Sequence, residues 1–347
     1  MREIVAYSFP RAGFLGNPSD GYFGKTVSFA FSDFCVELRL VESERMRFKP
    51  GVVDDATFAS PEDLVRDLRL YGYYGGIRLL KAVSKRFFEY CMDHGIALPR
   101  RNFTASYKIN IPRLVGLSGS SAICSSMLKA LSAFYEVELP IEMMPTLCLE
   151  AERELGINCG FQDRVIQIYN GLVFMDFERS FVEANNHGRY ERLDVSLLPN
   201  VYVAYDANRA EESGKAHSAV RRRFENRSAD VVAAMSEFAD IAQKGRDALV
   251  AGRRDLLPGL INANFDLRAR IFDIAEENRR MVMTARSTGA SAKFAGSGGA
   301  IVGTFEDDRH FQVLTSALGT IGCTVIRPSI ATDDKTPGKT LGKWRTA

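Results

Sequence analysis

The stretch Pro112-Arg-Leu-Val-Gly116-Leu117-Ser118-Gly119-Ser120-Ser121-Ala122 constrains the fold more than any other part of this chain. It follows an alternating segment, 103–110, that reads as a strand, and opens onto 120–134, which reads as a helix. Small residues at a strand-to-helix turn leave backbone N–H groups uncovered, and the helix start adds its own unpaired N–H groups and the positive end of its dipole. Such a turn suits a phosphate, with serine hydroxyls at hand for phosphate or a metal ion. The competing reading is a tight turn with a serine N-cap.

Two further glycine-rich segments stand beside strands. Pro10-Arg11-Ala-Gly13-Phe-Leu-Gly16-Asn17-Pro18-Ser19-Asp20 reads as a turn after strand 4–9, and Lys293-Phe-Ala-Gly296-Ser297-Gly298-Gly299 precedes the apolar strand 299–304. Three such turns predict a site where distant segments converge. The arrangement resembles the GHMP family of small-molecule kinases. Residues 112–122 look like that family's P-x-x-x-G-L-x-S-S-A motif with Gly119 inserted after Ser118, and the outer segments look like its N- and C-terminal motifs. Six blocks in order (Arg11–Asp20, Gly72–Leu80, Gly116–Ala122, Gly160–Val165, Ser213–Ser218 and Phe294–Gly299) resemble the glucuronokinase branch.

That resemblance implies a two-domain α+β fold with the active site in the inter-domain cleft. We expect an N-terminal ATP-binding domain over 1–190, a C-terminal domain over 191–330 and a flexible tail over 331–347. It implies an ATP-dependent kinase acting with magnesium on the anomeric hydroxyl of D-glucuronate. Kinases for galacturonate, galactose or a heptose, and a regulator of the same fold that has lost catalysis, are the alternatives.

The strings Gly24-Lys25-Thr26 and Gly338-Lys339-Thr340 are not P-loops. The position five before the second glycine holds Ser19 or Asp333, where a P-loop needs glycine. By resemblance the nucleotide instead sits over Pro112, Gly116, Leu117, Ser118, Gly119, Ser120, Ser121 and Ala122. Glu152 and Asp163 lie in a block like the family's A-E-x-E-L-G-x-x-x-G-x-x-D. Glu152 matches the metal-binding acid, with Ser121 as the hydroxyl ligand. On its own sequence it reads equally as a helix-surface charge beside Glu150, Arg153 and Glu154. Asp163 matches the catalytic aspartate, against a first-turn or capping aspartate. Arg11 matches a basic residue that holds Asp163 ionised, against a salt bridge at a strand end. Asp20 matches a sugar-binding acid, against a turn aspartate. Gly298 falls on the substrate side of the last motif. A uronic acid also needs a cation for its carboxylate. Lys215 and Arg78 are the candidates, and each also reads as an ordinary surface charge. Tyr73 and Tyr74 read as sugar-stacking rings or buried structural tyrosines.

The remaining sequence is that of an ordinary soluble protein. The 347 residues carry 45 basic and 43 acidic side chains, a balance that gives no electrostatic case for nucleic-acid or membrane binding. Apolar runs stay short of membrane-spanning length. Six cysteines (35, 91, 124, 148, 159, 323) without a C-x-x-C pair, and only four histidines, argue for buried thiols in a reducing cytoplasm rather than a disulfide framework or zinc site. A helix is expected from Pro61, and one over 75–92 with Ile77, Leu80, Phe87 and Phe88 at helical spacing. Helices are also expected over 141–155, 160–169 and 308–318, with two or three between 213 and 286. Further strands should cover 26–40, 172–176, 201–205, 291–294 and 322–327. The polar stretch 178–192 reads as irregular and as a boundary.

Overall fold

The structure is a computed structural model, and it describes residues 2–51, 54, 75–157, 160–206 and 214–332, with the side chains of 214–218 set aside. The helix expected from Pro61, Tyr73, Tyr74, Cys159, the Lys215 side chain and residues 333–347 lie outside the described residues.

In chain order the elements are β1 (Glu3–Ser8), β2 (Arg11–Leu15), β3 (Lys25–Ala30), β4 (Val36–Ser43), β5 (Arg47–Phe48), α1 (Gly76–Asp93), β6 (Asn102–Ile109), α2 (Gly119–Tyr135), α3 (Met144–Glu154), α4 (Gln162–Tyr169), β7 (Leu172–Asp176), α5 (Arg179–Asn185) and β8 (Arg189–Leu193). The second half adds β9 (Val201–Tyr205), α6 (Gly214–Glu225), α7 (Ala229–Val250), α8 (Leu257–Ile271), α9 (Glu276–Ser287), β10 (Lys293–Phe294), β11 (Ala300–Thr304), α10 (Asp308–Gly319) and β12 (Thr324–Ile326).

Three four-stranded sheets result, ordered β1-β4-β6-β5, β2-β3-β7-β8 and β10-β11-β9-β12. Every described pairing is antiparallel except β5 with β6. The first two sheets use residues before 194 and the third uses residues after 200. This is a mixed α+β architecture in two parts, as expected.

Three sequence expectations change. Residues 11–15 form a strand rather than a turn, because β2 pairs with β3 and its Gly13 N–H donates to the Ala295 carbonyl at 2.8 Å. The stretch 178–192 is not irregular: α5 is capped by the Glu178 carboxylate, which accepts from Ser180 and Phe181 N–H, and β8 completes the second sheet. Its polar composition suits an edge strand, which faces water on one side. Four helices, rather than two or three, fill 214–287. Gly252 at φ +70° follows the end of α7, and Pro258 in the first turn of α8 restarts the chain where a missing N–H costs nothing.

The two halves are joined closely. Gly16 (φ +85°) lies under α7, where an added Cβ would stand 2.6 Å from Ala242 Cβ. After β12 the chain returns to the first half: Ala331 N–H donates to Ala30 O at 2.9 Å, and Gly171 N–H donates to Ala331 O at 2.6 Å.

The long helix α2 backs the first sheet. Its Ile123, Met127, Leu131 and Phe134 are all buried at helical spacing. Phe134 meets Phe103 of β6 and Tyr135 edge-on at centroid separations of 5.8 and 5.1 Å. Phe134→Ala is therefore expected to cost about 3–5 kcal/mol, the usual range for a buried aromatic truncated in a core. Urea unfolding checks this: the midpoint should fall with little change in slope, and an unchanged midpoint would remove Phe134 from the core argument.

Candidate active site

Helix α2 begins in a way its sequence only half reveals. Ser118 occupies the cap position at φ +62°, yet its side chain makes no capping bond. Its Oγ instead donates to Asp163 Oδ2 at 2.5 Å, and its carbonyl accepts from Gln167 Nε2 at 2.9 Å. Both partners stand on α4. The serine N-cap reading thus fails, because the hydroxyl is spent on a carboxylate across the site. The helix start, Gly119 and Ser120, remains partly open to solvent, while Leu117, Ser121 and Ala122 are buried and Pro112 is half-buried. An uncapped, open helix N-terminus is chemically suited to a phosphate.

Asp163 sits in the first turn of α4 and serves no capping role. Arg11 of β2 donates from Nε to Asp163 Oδ1 at 2.7 Å. Its Nη1 donates to Gly116 O at 2.6 Å and to Ala295 O at 3.1 Å. One guanidinium therefore joins all three glycine-rich segments and the acid. Burial alone would raise the Asp163 carboxyl. The charges of Arg11 and Arg164 and the bonds from Arg11 and Ser118 outweigh it and hold the group below the usual carboxylate range. The Asp163 side chain keeps 17% of its exposure against 6% for Arg11, so the carboxylate is the more accessible member of the pair.

Glu152 is not a surface charge. It is fully buried on α3, accepts from Ser121 Oγ at 3.2 Å and forms an ion pair with Arg164. Arg164 also donates to Gly160 O at 2.6 Å. Burial pushes the Glu152 carboxyl up, and Arg164 counters it.

Asp20 is buried and faces the same block. It accepts from Gln162 N at 3.1 Å and from Gln162 Nε2 at 3.2 Å, and Gln162 in turn accepts from Ser28 Oγ at 2.8 Å. Gly160 lies directly against the Asp20 carboxylate, leaving no room for a side chain there. Burial, reinforced by the neighbouring Asp163 charge, raises the Asp20 carboxyl to about 6.

The floor of the site is made by groups the sequence did not single out. Lys293 is fully buried, and its Nζ donates to Gly13 O at 2.6 Å, to Phe294 O at 2.9 Å and to Asn17 Oδ1. Burial and the positive charges of Arg268 and Arg11 push its pKa well down. Arg268 of α8 donates to Gly296 O and Ser297 O at 2.9 and 3.0 Å. Asn264 bonds Gly16 N–H and Asn17 O at 2.6 and 3.0 Å across the cis Asn17–Pro18 peptide. Position in the motifs was the only sequence signal: Arg164 follows Asp163, and Lys293 opens the last glycine segment.

The remaining candidates fall elsewhere. Gly298 abuts the phosphate turn, since a Cβ on Gly116 would meet Gly298 O at 2.5 Å. Arg78 is exposed on α1, with its described bond reaching Leu155 O at 3.5 Å. The five described cysteines are buried, and among the described residues no cluster of three or more His, Cys, Asp or Glu groups could hold a metal. No described helix is long and apolar enough to cross a membrane.

The titration of Asp20 has a testable consequence. A carboxyl raised from 3.8 to about 6 binds its proton more tightly in the folded chain. Between those values the unfolded chain has lost a proton that the folded chain keeps, so stability falls as pH rises. The effect is on the order of 3 kcal/mol at about 1.36 kcal/mol per unit. Urea midpoints of the parent and Asp20→Asn at pH 4 and pH 7 test it. The variant should lose part of the decline, and equal declines would contradict the assignment.

Known proteins bear directly on this geometry. The profile of the GHMP kinases N terminal domain matches residues 78–171. The chain is 44% identical over 301 residues to Glucuronokinase 1 of Arabidopsis thaliana, covering 85% of this chain and 83% of that protein. It is 47% identical over 302 residues to Probable glucuronokinase 2 of the same plant, covering 85% and 82%. The fold is similar to that of Lactococcus lactis galactokinase complexed with galactose, with a TM-score of 0.76 at 13% identity, covering 95% of this chain and 94% of that one. With the three glycine segments, the Arg11–Asp163 pair and these relatives in agreement, the chain belongs to the GHMP kinase family, within its glucuronokinase branch, and is a sugar kinase.

Proposed function

We propose that this protein transfers the γ-phosphoryl group of ATP to the anomeric hydroxyl of D-glucuronate, giving D-glucuronate 1-phosphate and ADP. The substrate follows from the names of the relatives at 44% and 47% identity. The single observation that carries the chemistry is the Asp163 carboxylate. It is held ionised by Arg11 and linked through Ser118 to the uncapped start of α2.

In this reading the triphosphate lies over residues 112–122, with its charge facing the α2 N-terminus. Asp163 accepts a hydrogen bond from the sugar hydroxyl. A carboxylate has about four acceptor sites, so Arg11 and Ser118 leave capacity for it. A carboxylate of depressed pKa is a weak base at neutral pH. Asp163 therefore orients and polarises the hydroxyl, and takes its proton as the new P–O bond forms. Phosphoryl transfer through a loose transition state needs little more than this positioning and charge stabilisation. Arg11 stands where negative charge develops on the transferring group. Asp20, fixed by Gln162, accepts from other sugar hydroxyls.

Magnesium fits the donor set of Ser121 and Glu152. A hydroxyl and a carboxylate 3.2 Å apart are the hard oxygen donors that would hold such an ion. Two Arg164 bonds fall on Glu152 Oε2, and Oε1 accepts from Ser121 Oγ. A bound ion would neutralise charge on the phosphates. We keep the two-unit division with the cleft between the units, and move its boundary from residue 190 to beyond β8, since Arg189–Leu193 pairs with β7.

Three measurements test these assignments. Asp163→Asn should keep ATP binding and lower turnover about a hundred- to ten-thousand-fold; turnover within a few-fold of the parent would remove Asp163 from the mechanism. Ser121→Ala, which spares the Glu152–Arg164 pair, should shift activity to higher magnesium concentrations. An unchanged magnesium dependence would leave Ser121 a core hydroxyl. The substrate test compares kcat/KM for glucuronate, galacturonate, galactose and glucose. A neutral hexose that equals glucuronate would sink the substrate assignment and leave the kinase assignment standing.

A further inference from the structure

Three arginines follow one another on α6, and only one turns inward. Arg222 and Arg223 are exposed, and Arg223 pairs with Asp230. Arg221 is partly buried and lays its guanidinium over the Tyr22 ring, 4.6 Å from the centroid. Tyr22 is itself braced by Phe224, one turn further along α6, at 4.8 Å between centroids. Stacking fixes a planar guanidinium by its face and leaves its N–H edge free for a bidentate acceptor.

Arg221 Nη2 lies beside Gly21, the residue that follows Asp20. A Cβ on Gly21 would lie 3.3 Å from Arg221 Nη2 and 3.6 Å from the Gly160 Cα. Gly21 follows Asp20, and Gly160 touches the Asp20 carboxylate. Arg221 Nη2 and Gly160 thus both lie against Gly21, and Gly160 lies against the Asp20 carboxylate.

The other basic groups of this centre are committed. Arg11 serves Asp163 and two carbonyls, Arg164 serves Glu152, Arg268 serves the last glycine turn and Lys293 serves three carbonyl-type oxygens. Arg221 has no hydrogen bond or ion pair among the described residues, and Glu225 one turn away is not within salt-bridge distance of it. An inward guanidinium beside an acid-rich centre, without its own anion, suits an anionic ligand group.

We propose that Arg221 binds the carboxylate of the sugar substrate and sets the preference for a uronic acid over a neutral hexose. This rests on the reading of the protein as a glucuronate kinase. The chemistry of the sugar supports the position. The ring carbon bearing the carboxylate shares the ring oxygen with the anomeric carbon, so the carboxylate must bind close to the acceptor hydroxyl. Asp163, Gln162, Asp20, Gly21 and Arg221 form a continuous chain of neighbours that meets this requirement. Lys215 and Arg78, the sequence candidates, are replaced by Arg221 in this proposal.

The test uses the full-length protein with glucuronate, glucuronamide and glucose, measuring kcat/KM for each. Glucuronamide keeps the shape of the acid without its charge. Arg221→Met should lower kcat/KM for glucuronate about thirtyfold or more, mostly through KM, and leave glucuronamide and glucose within a few-fold of the parent. Arg221→Lys should recover part of the glucuronate activity, because it restores the charge without the fork. Retained ATP binding and an unchanged melting temperature separate this from misfolding. If Arg221→Met keeps the parent's glucuronate-to-glucuronamide ratio, Arg221 is not the clamp and the kinase reading stands. If the parent protein itself does not prefer glucuronate over glucuronamide and glucose, the substrate reading fails, and this proposal with it.

Discussion

The Arg11 guanidinium is the point on which this structure converges. It reaches Asp163, Gly116 O and Ala295 O from one rigid fork. Those groups come from residues separated by more than 100 and more than 280 positions along the chain. A lysine could supply the charge but not the planar, multi-directional geometry. The same guanidinium that orders the three segments also holds Asp163 ionised, so assembly of the site and its electrostatics share one cause.

Charge balance around this point gives each acid a different character. Asp163 has Arg11 and Arg164 nearby and stays below the usual carboxylate range. Asp20 has burial and the Asp163 charge working against it and rises to about 6. Glu152 is fully buried with Arg164 as its partner. Removing either member of that pair would leave a buried charge uncompensated, which is commonly strongly destabilising. The glycines serve the same end by permitting contact. Gly116 and Gly298 meet backbone to backbone, Gly160 lies on Asp20, and Gly16 admits α7. A methyl group at Gly116, Gly160 or Gly16 would collide with the segment packed against it.

Much of this was legible in the chain. Alternation and helical spacing located β6, α1 and α2 to within a residue or two, because each buries one face. Motif order located Arg11, Asp20, Gly116–Ala122, Glu152 and Asp163, and all of them fall in or beside one site. What escaped was local structure dictated by partners far away. Residues 11–15 look like a turn because of their glycines, and become a strand because β3 and Ala295 supply hydrogen bonds. Residues 178–192 look irregular because edge elements need little apolar patterning.

The sequence by itself determined the strands and helices that bury one face, such as β6, α1 and α2, and the order of the glycine-rich motifs, since these follow from local spacing and from motif. Only the tertiary structure decided which partner each charged group takes. Ser118 could cap its helix or bind a carboxylate. Glu152 could face water or Arg164. Three consecutive arginines could all be solvated. Spacing along a chain is silent on such choices. They are settled by which groups are buried together, where a lone charge is costly and a paired one is not.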